Sequence, residues 1–235
     1  MTRYVLHADY LSPYCITVAF TLLEKQLCWV YEEVKLLDLK TRTPEHKLKH
    51  PWGKIPVLDV IEQDGSEFRI CESRAICRYL ALLHQQSGSK LLPDCGNVTG
   101  FARFEEAAAF ESCYFTPPVW KVTGEICMKP LLGFGPPDPL VVDASWLSVE
   151  ESLHILNDRL AHQPYLAGES FSLVDIWTMP WFAQLLRVKG RAETLGPHSN
   201  IQFWWNKVTE RPAWKKARDL MEEACRVLGK PPTNA

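Results

Sequence analysis

The chain has no run of about 18 apolar residues, the length that would span a bilayer, and its opening MTRYVLHADY lacks the apolar core of a secretory leader. The expectation is a soluble, cytoplasmic protein with no membrane partner. It also lacks a basic surplus: 26 Lys+Arg stand against 28 Asp+Glu, a net charge of −2, which argues against binding to nucleic acid or anionic lipid. No C-x-x-C pair or zinc-ligand spacing occurs among the eight scattered cysteines, so they read as small buried hydrophobes in a reducing compartment, with no metal. Internal repeats and low-complexity tracts are absent too.

What remains is a chain of 235 residues, 46% hydrophobic, enough for two modest domains with real cores. The first eighty-odd residues mix strand and helix signals. Tyr4 to His7 reads as a strand, Ser12-Pro13 as a turn into a helix carrying Val18 and Leu22, and Trp29 to Val34 as a second strand. Leu36 to Trp52, interrupted by Pro44 and Pro51, reads as a loop with one short helix. Ile55 to Ile61 and Phe68 to Cys71 flank Asp64-Gly65, a hairpin dipeptide, and a helix capped by Ser73 follows with Ile76, Leu80 and Leu83 on one face.

The segment GSKLLPDCGN reads as a linker, and everything after about Cys95 as helix and loop. Trp146, Val149, Leu153, Leu156 and Leu160 recur at helical spacing. MKPLLGFGPPDP reads as non-helical, and TPPVW as the end or kink of a helix. Ser172 and Asp175 form a capping box with Phe171 placed to staple onto Ile176, and Pro212 opens a last helix. The expected division is 1–87 and 95–235.

One local feature is surplus to folding. A helix starting at Ser73 needs one cap, yet an acid, Glu72, stands beside it at the positive helix end. Such a pair is a cap with a solvated acid, or half of a site for a ligand carrying an amine and a carboxylate.

The order of motifs resembles the glutathione S-transferases: SPYC at Ser12 to Cys15, EHK at Glu45 to Lys47, HPWGKIPVL at His50 to Leu58, ESRAICRYL at Glu72 to Leu80, then SFSLVDI and RPAW. The match spans nearly the whole chain and is nearest the phi-like group, with His50 where that pattern has asparagine and Lys54 where it has glutamine. The resemblance implies an α/β thioredoxin-like N-terminal domain, in the order β-α-β-α-β-β-α, followed by an all-α domain that shapes a second-substrate pocket. It implies a cis Pro56 that turns the Ile55 backbone toward glutathione, and a homodimer. Glutathione enters as co-substrate, with no tightly bound cofactor.

By motif, Glu72 receives the γ-glutamyl ammonium of glutathione and Ser73 its carboxylate, while His46, Lys47 and Lys54 are candidates for the glycine carboxylate. Arg74 adds charge nearby, and His50 reads as structural. Ser12 is the candidate catalytic hydroxyl, donating to the sulfur near the start of a helix. An ordinary N-cap role for Ser12, the hydroxyls of Tyr10 and Tyr14, and the thiol of Cys15 are alternatives. Tyr10, Tyr14, Phe115 and Val119 are candidates for the second-substrate pocket. The implied function is addition of the glutathione thiol to electrophilic, largely apolar molecules. Double-bond isomerisation, thiol-disulfide exchange through Cys15 and non-catalytic ligand binding are the competing readings.

Overall fold

The computed structural model describes residues 2–227; the end of the expected helical domain, 228–235, lies outside the described residues. By packing, the chain divides into two units, one comprising 2–90 with 212–227, the other 91–211.

The first unit begins with β1 (Arg3–Ala8), α1 (Pro13–Glu24) and β2 (Val30–Glu33). A 3-10 turn, Lys40–Arg42, leads to α2 (Pro44–Lys49), then β3 (Val57–Ile61), β4 (Glu67–Cys71) and α3 (Ser73–Leu83). The sheet order is β2-β1-β3-β4, with β1 parallel to β2 and antiparallel to β3, and β3 antiparallel to β4. This is the thioredoxin-like arrangement. At the hairpin, Gly65 takes φ 83, and the Asp64 carboxylate accepts the Ser66 N–H at 2.9 Å.

Leu6, Val57, Ile16, Phe20, Ile76 and Leu80 are all fully buried and form the core between sheet and helices. α11 (Pro212–Val227) belongs here as well, since Trp214, 1% exposed, sets its ring 5.4 Å from that of Phe20 in α1. The expected division therefore needs correcting. The sequence interval that opens with Pro212 looks helical, but its apolar face is spent on α1, and helical periodicity alone does not say which core a helix completes. A polar group also links three neighbouring strands: Asp59 of β3 accepts from His7 of β1 at 2.8 Å and from Arg69 of β4 at 2.5 and 2.9 Å.

Among the described residues the second unit is all helical. It comprises α4 (Val98–Phe110), α5 (Thr116–Thr123), α6 (Lys129–Leu131), α7 (Pro139–Leu160), α8 (Leu173–Lys189), α9 (Arg191–Leu195) and α10 (Ser199–Thr209). Its core gathers Val149 and Leu153 of α7, Phe182 and Leu185 of α8, and Trp204 and Trp205 of α10. The Phe182 ring lies 4.9 Å from that of Trp205. The start of α8 is fixed by a complete capping box: Asp175, wholly buried, accepts from the Ser172 N–H at 2.9 Å, the Leu166 N–H at 3.1 Å and the Trp204 indole at 2.9 Å. Phe171 packs edge-on to Tyr165 with Arg211 over its face.

Two expectations here are corrected. TPPVW does not end a helix; the prolines open α5 directly after a π turn, Glu111–Phe115. Pro118 has no N–H for the Tyr114 carbonyl, and the Ser152 hydroxyl supplies the missing donor at 2.8 Å. MKPLLGFGPPDP does contain a helical turn, α6, which continues directly from a π turn, Gly124–Met128, before Gly133 ends it.

Candidate active site

Two helix starts in the first unit carry the sequence-predicted hydroxyls and acid. At the first, Ser12 occupies the N-cap position of α1 with φ −87 and ψ 119, and its carbonyl accepts from Cys15 at 2.9 Å and Ile16 at 3.1 Å. Its hydroxyl makes no capping bond. The side chain is thus not engaged in an ordinary N-cap, although it is 8% exposed and lies at the positive end of a twelve-residue helix.

The turn that presents Ser12 is held by Asp9. One Asp9 carboxylate oxygen accepts the Leu11 N–H at 2.9 Å and the other the Leu36 N–H at 2.8 Å, while its backbone carbonyl accepts the Ser12 N–H at 2.9 Å. Asp9 therefore ties the β1-α1 turn to the strand end after β2. Sequence reasoning missed it; the signal was an aspartate two residues before an N–H that needs a partner, an Asx turn.

The alternatives to Ser12 occupy different surroundings. Cys15 is 0% exposed, and burial pushes its thiol up to about 12, against the lowering contacts of the Asp9 backbone and the Ser12 side chain. A thiol so protonated and enclosed is unsuited to disulfide exchange, which needs an accessible thiolate. Tyr10 is 9% exposed, stacks on Tyr31 with ring centroids 4.4 Å apart, and accepts from the Trp29 indole at 3.3 Å. Burial raises its phenol above the usual value. Tyr14, half-buried in the first turn of α1, lies 6.0 Å beneath the Arg74 guanidinium at the start of α3.

At the second helix start the expected cap is displaced by one residue. Ser73 is the first helical residue, and Glu72 occupies the N-cap position with φ 70 and ψ 112. Its carbonyl accepts the Ile76 N–H at 2.9 Å, but its side chain makes no capping bond. A non-glycine residue in positive φ is a strained choice. The Glu72 side chain is 75% exposed and has the buried His50 Nε2 at 3.7 Å.

The segment between α2 and β3 completes the group. The Ile55-Pro56 bond is cis, and Ile55 is 8% exposed. His46 is 5% exposed, and its Nε2 lies 2.8 Å from the Lys54 carbonyl oxygen, so its ring joins α2 to the loop and is not open to solvent. Lys47 and Lys54 are exposed. Gly53 takes φ 59, and a Cβ there would lie 2.6 Å from the Thr41 carbonyl oxygen, so the 3-10 turn packs directly on the segment carrying Lys54. Arg42, next in that turn and exposed, is a cation that the motif reading did not nominate.

The structure does not bring Phe115 and Val119 to an open surface. They are 1% and 0% exposed, and Phe115 stacks on Phe182 within the helical core. The π turn changes the helical phase, so the residues beside them, Tyr114 and Trp120, at 62% and 52%, are the exposed aromatics of that stretch. The pocket expectation for Phe115 and Val119 is corrected on that ground.

Comparison with known proteins matches the glutathione S-transferase N-terminal domain over residues 6–88 and the glutathione S-transferase C-terminal domain over residues 126–212. The chain is 34% identical over 196 residues to glutathione S-transferase F10 of Arabidopsis thaliana, covering 83% of this chain and 87% of that one. It is likewise 34% identical over 200 residues to glutathione S-transferase hmp2 of Hypomyces subiculosus, covering 85% and 91%. Its fold superposes on the crystal structure of glutathione transferase F7 from Populus trichocarpa with a TM-score of 0.84, at 27% identity, over 93% of this chain and 99% of that one. The chain belongs to the glutathione S-transferase family, within its phi-like group, and is a transferase that uses glutathione against electrophiles.

Proposed function

We propose that Ser12 is the residue that activates the glutathione sulfur. The observation that carries this reading is a buried hydroxyl at a helix start, in a turn locked by Asp9, that is not used to cap its helix. A glutathione thiol is mostly protonated at neutral pH, and the thiolate is the nucleophile. Lowering its pKa by about two units takes about 2.7 kcal/mol of preferential stabilisation, to which a hydrogen bond to the sulfur and the positive end of α1 both contribute. The thiolate then forms a bond to the electrophilic carbon; in a substitution the leaving group departs with its bonding pair, and in an addition the double-bond electrons shift to the neighbouring atom, which takes a proton from water.

On this reading the ligand lies across three groups. The ammonium of its γ-glutamyl end meets Glu72 and the carboxylate there meets Ser73; the Ile55 backbone pairs with the cysteinyl unit; and Lys54, Lys47 and Arg42 supply positive charge for the glycine carboxylate. Tyr10 and Tyr14 flank the reacting end. Lysine and arginine suit the carboxylate as a mobile point charge and a planar fork respectively.

The reading extends to a homodimer in the cytoplasm. Leu48 in α2 and Trp52 just after it, 86% and 73% exposed, offer apolar area that a second copy would cover. The eight cysteines are not joined in disulfides, which fits a reducing compartment.

The test is conjugation of an activated halonitroarene, with products identified by mass spectrometry. Formation of the glutathionyl arene, lost on Ser12→Ala, is the expected result. Unchanged turnover in Ser12→Ala would refute the assignment, and recovery of all glutathione beside an isomerised unsaturated substrate would identify an isomerase.

A further inference from the structure

We propose that His50 is a positioning residue for Glu72 and that it links glutathione binding to proton release. The proposal rests on the reading above that Glu72 receives the ligand's ammonium.

His50 is 2% exposed and fixed on both sides: its N–H donates to the His46 carbonyl at 2.9 Å, and its carbonyl accepts from Gly53 at 2.8 Å. Trp52 covers the ring edge-on at 6.3 Å. Of the two ring nitrogens, Nε2 faces the Glu72 carboxylate at 3.7 Å, while Nδ1 is buried without a partner. The carboxylate is the acceptor on the Nε2 side, so the neutral ring carries its proton there and aims an N–H at Glu72. A second proton would have to enter at the buried Nδ1, and it is burial that opposes charging the ring.

The charged and titratable groups facing His50 are Glu72 from the start of α3, His46 from α2 and Lys54 from the segment before β3. Burial lowers the His50 pKa below its ordinary 6.5; Glu72 opposes this, while His46 and Lys54 add to it. Of these groups only Glu72 favours the imidazolium. When an ammonium pairs with Glu72, that support is neutralised and the proton on His50 is released. By linkage, acidification into the range where His50 charges must weaken ammonium binding. At neutral pH the ring is uncharged and leaves Glu72 free for the ligand.

The probe is S-methylglutathione, whose sulfur cannot ionise and whose amine and carboxylates stay predominantly charged between about pH 5 and 7. Calorimetry in two buffers of different ionisation enthalpy reads the proton directly. The wild-type chain is expected to release protons on binding near pH 6. Its Kd should rise about fivefold between about pH 7 and 5.5, the low end of site-to-site coupling because Glu72 is so exposed. His50→Asn, with the residue of the resembling pattern, is expected to bind with neither proton release nor pH slope, and His50→Gln should behave alike if melting shows either variant folded. Residual binding to Glu72→Gln should be equally flat.

A wild-type Kd independent of pH, or a slope that survives in a folded His50→Asn or in Glu72→Gln, overturns the proposal and leaves the Glu72 site standing. Failure of S-methylglutathione to bind the wild type at any pH removes the Glu72 site itself, and this inference with it.

Discussion

Glu72 makes opposite demands on stability and binding, and three substitutions separate them. Its side chain is 75% exposed and its near polar neighbour, His50, is 3.7 Å away, so Glu72→Ala should change folding stability by no more than about 0.5 kcal/mol. The same change removes a charge-assisted contact to the ligand ammonium, worth about 1.5–3 kcal/mol, or about ten- to hundredfold in Kd. Glu72→Gly goes further. At φ 70 and ψ 112 a residue with a side chain is strained by about 1–3 kcal/mol. Glycine relieves this and loses about 0.4–1 kcal/mol through the freer unfolded chain, a net gain of about 1 kcal/mol. Urea denaturation and calorimetry with glutathione measure the two effects. Glu72→Gly should therefore be more stable than the wild type and still bind as poorly as Glu72→Ala, while Glu72→Asp should keep part of the affinity. Loss of stability and affinity in parallel across the series would refute the reasoning and make Glu72 a structural residue.

Two other outcomes follow from a buried thiol and a half-buried carboxylate in the first unit. Cys15→Ser should keep conjugation within about twofold while costing about 1 kcal/mol or more, because a hydroxyl replaces a thiol in a fully enclosed site; loss of turnover in a stable variant would restore thiol exchange as a reading. Burial alone would raise the Asp59 carboxyl, but hydrogen bonds from Arg69 and His7 overcome it and hold the group below its ordinary 3.8. A folded pKa below the unfolded one gives stability that is present above 3.8 and lost as pH falls through the folded value. Denaturation midpoints should fall on acidification below about pH 4, and Asp59→Asn should flatten that fall; an identical acid limb in the variant would exclude Asp59.

Much of this was legible wherever short-range chemistry sets the outcome. Asp64-Gly65 supplies its own positive φ, and Ser172 with Asp175 closes a capping box within four residues, so hairpin and helix start could be read directly. The motif around Glu72 reads as a candidate site, yet its cap geometry is not legible: nothing in the order Glu-Ser says that glutamate takes the left-handed backbone and leaves Ser73 inside the helix. Phe115 and Val119 read as pocket residues because aromatic and apolar side chains gather in that stretch. A π turn just before Thr116 shifts the phase and sends them to the core, and its stabilising donor, Ser152, lies 38 residues from Tyr114. The docking of α11 on α1 is likewise a pairing of distant faces, invisible to periodicity. His46 reads by motif as a candidate for the glycine carboxylate, but its ring is committed to the Lys54 carbonyl.

The central claim is that Ser12 lowers the pKa of the bound sulfur. Ultraviolet titration of the thiolate in the glutathione complex tests it most directly, comparing wild type with Ser12→Ala at saturating ligand. The account predicts ionisation about two units below that of free glutathione in the wild type, returning most of the way in the variant while affinity changes little. Equal ionisation in both proteins, with glutathione bound, would contradict it.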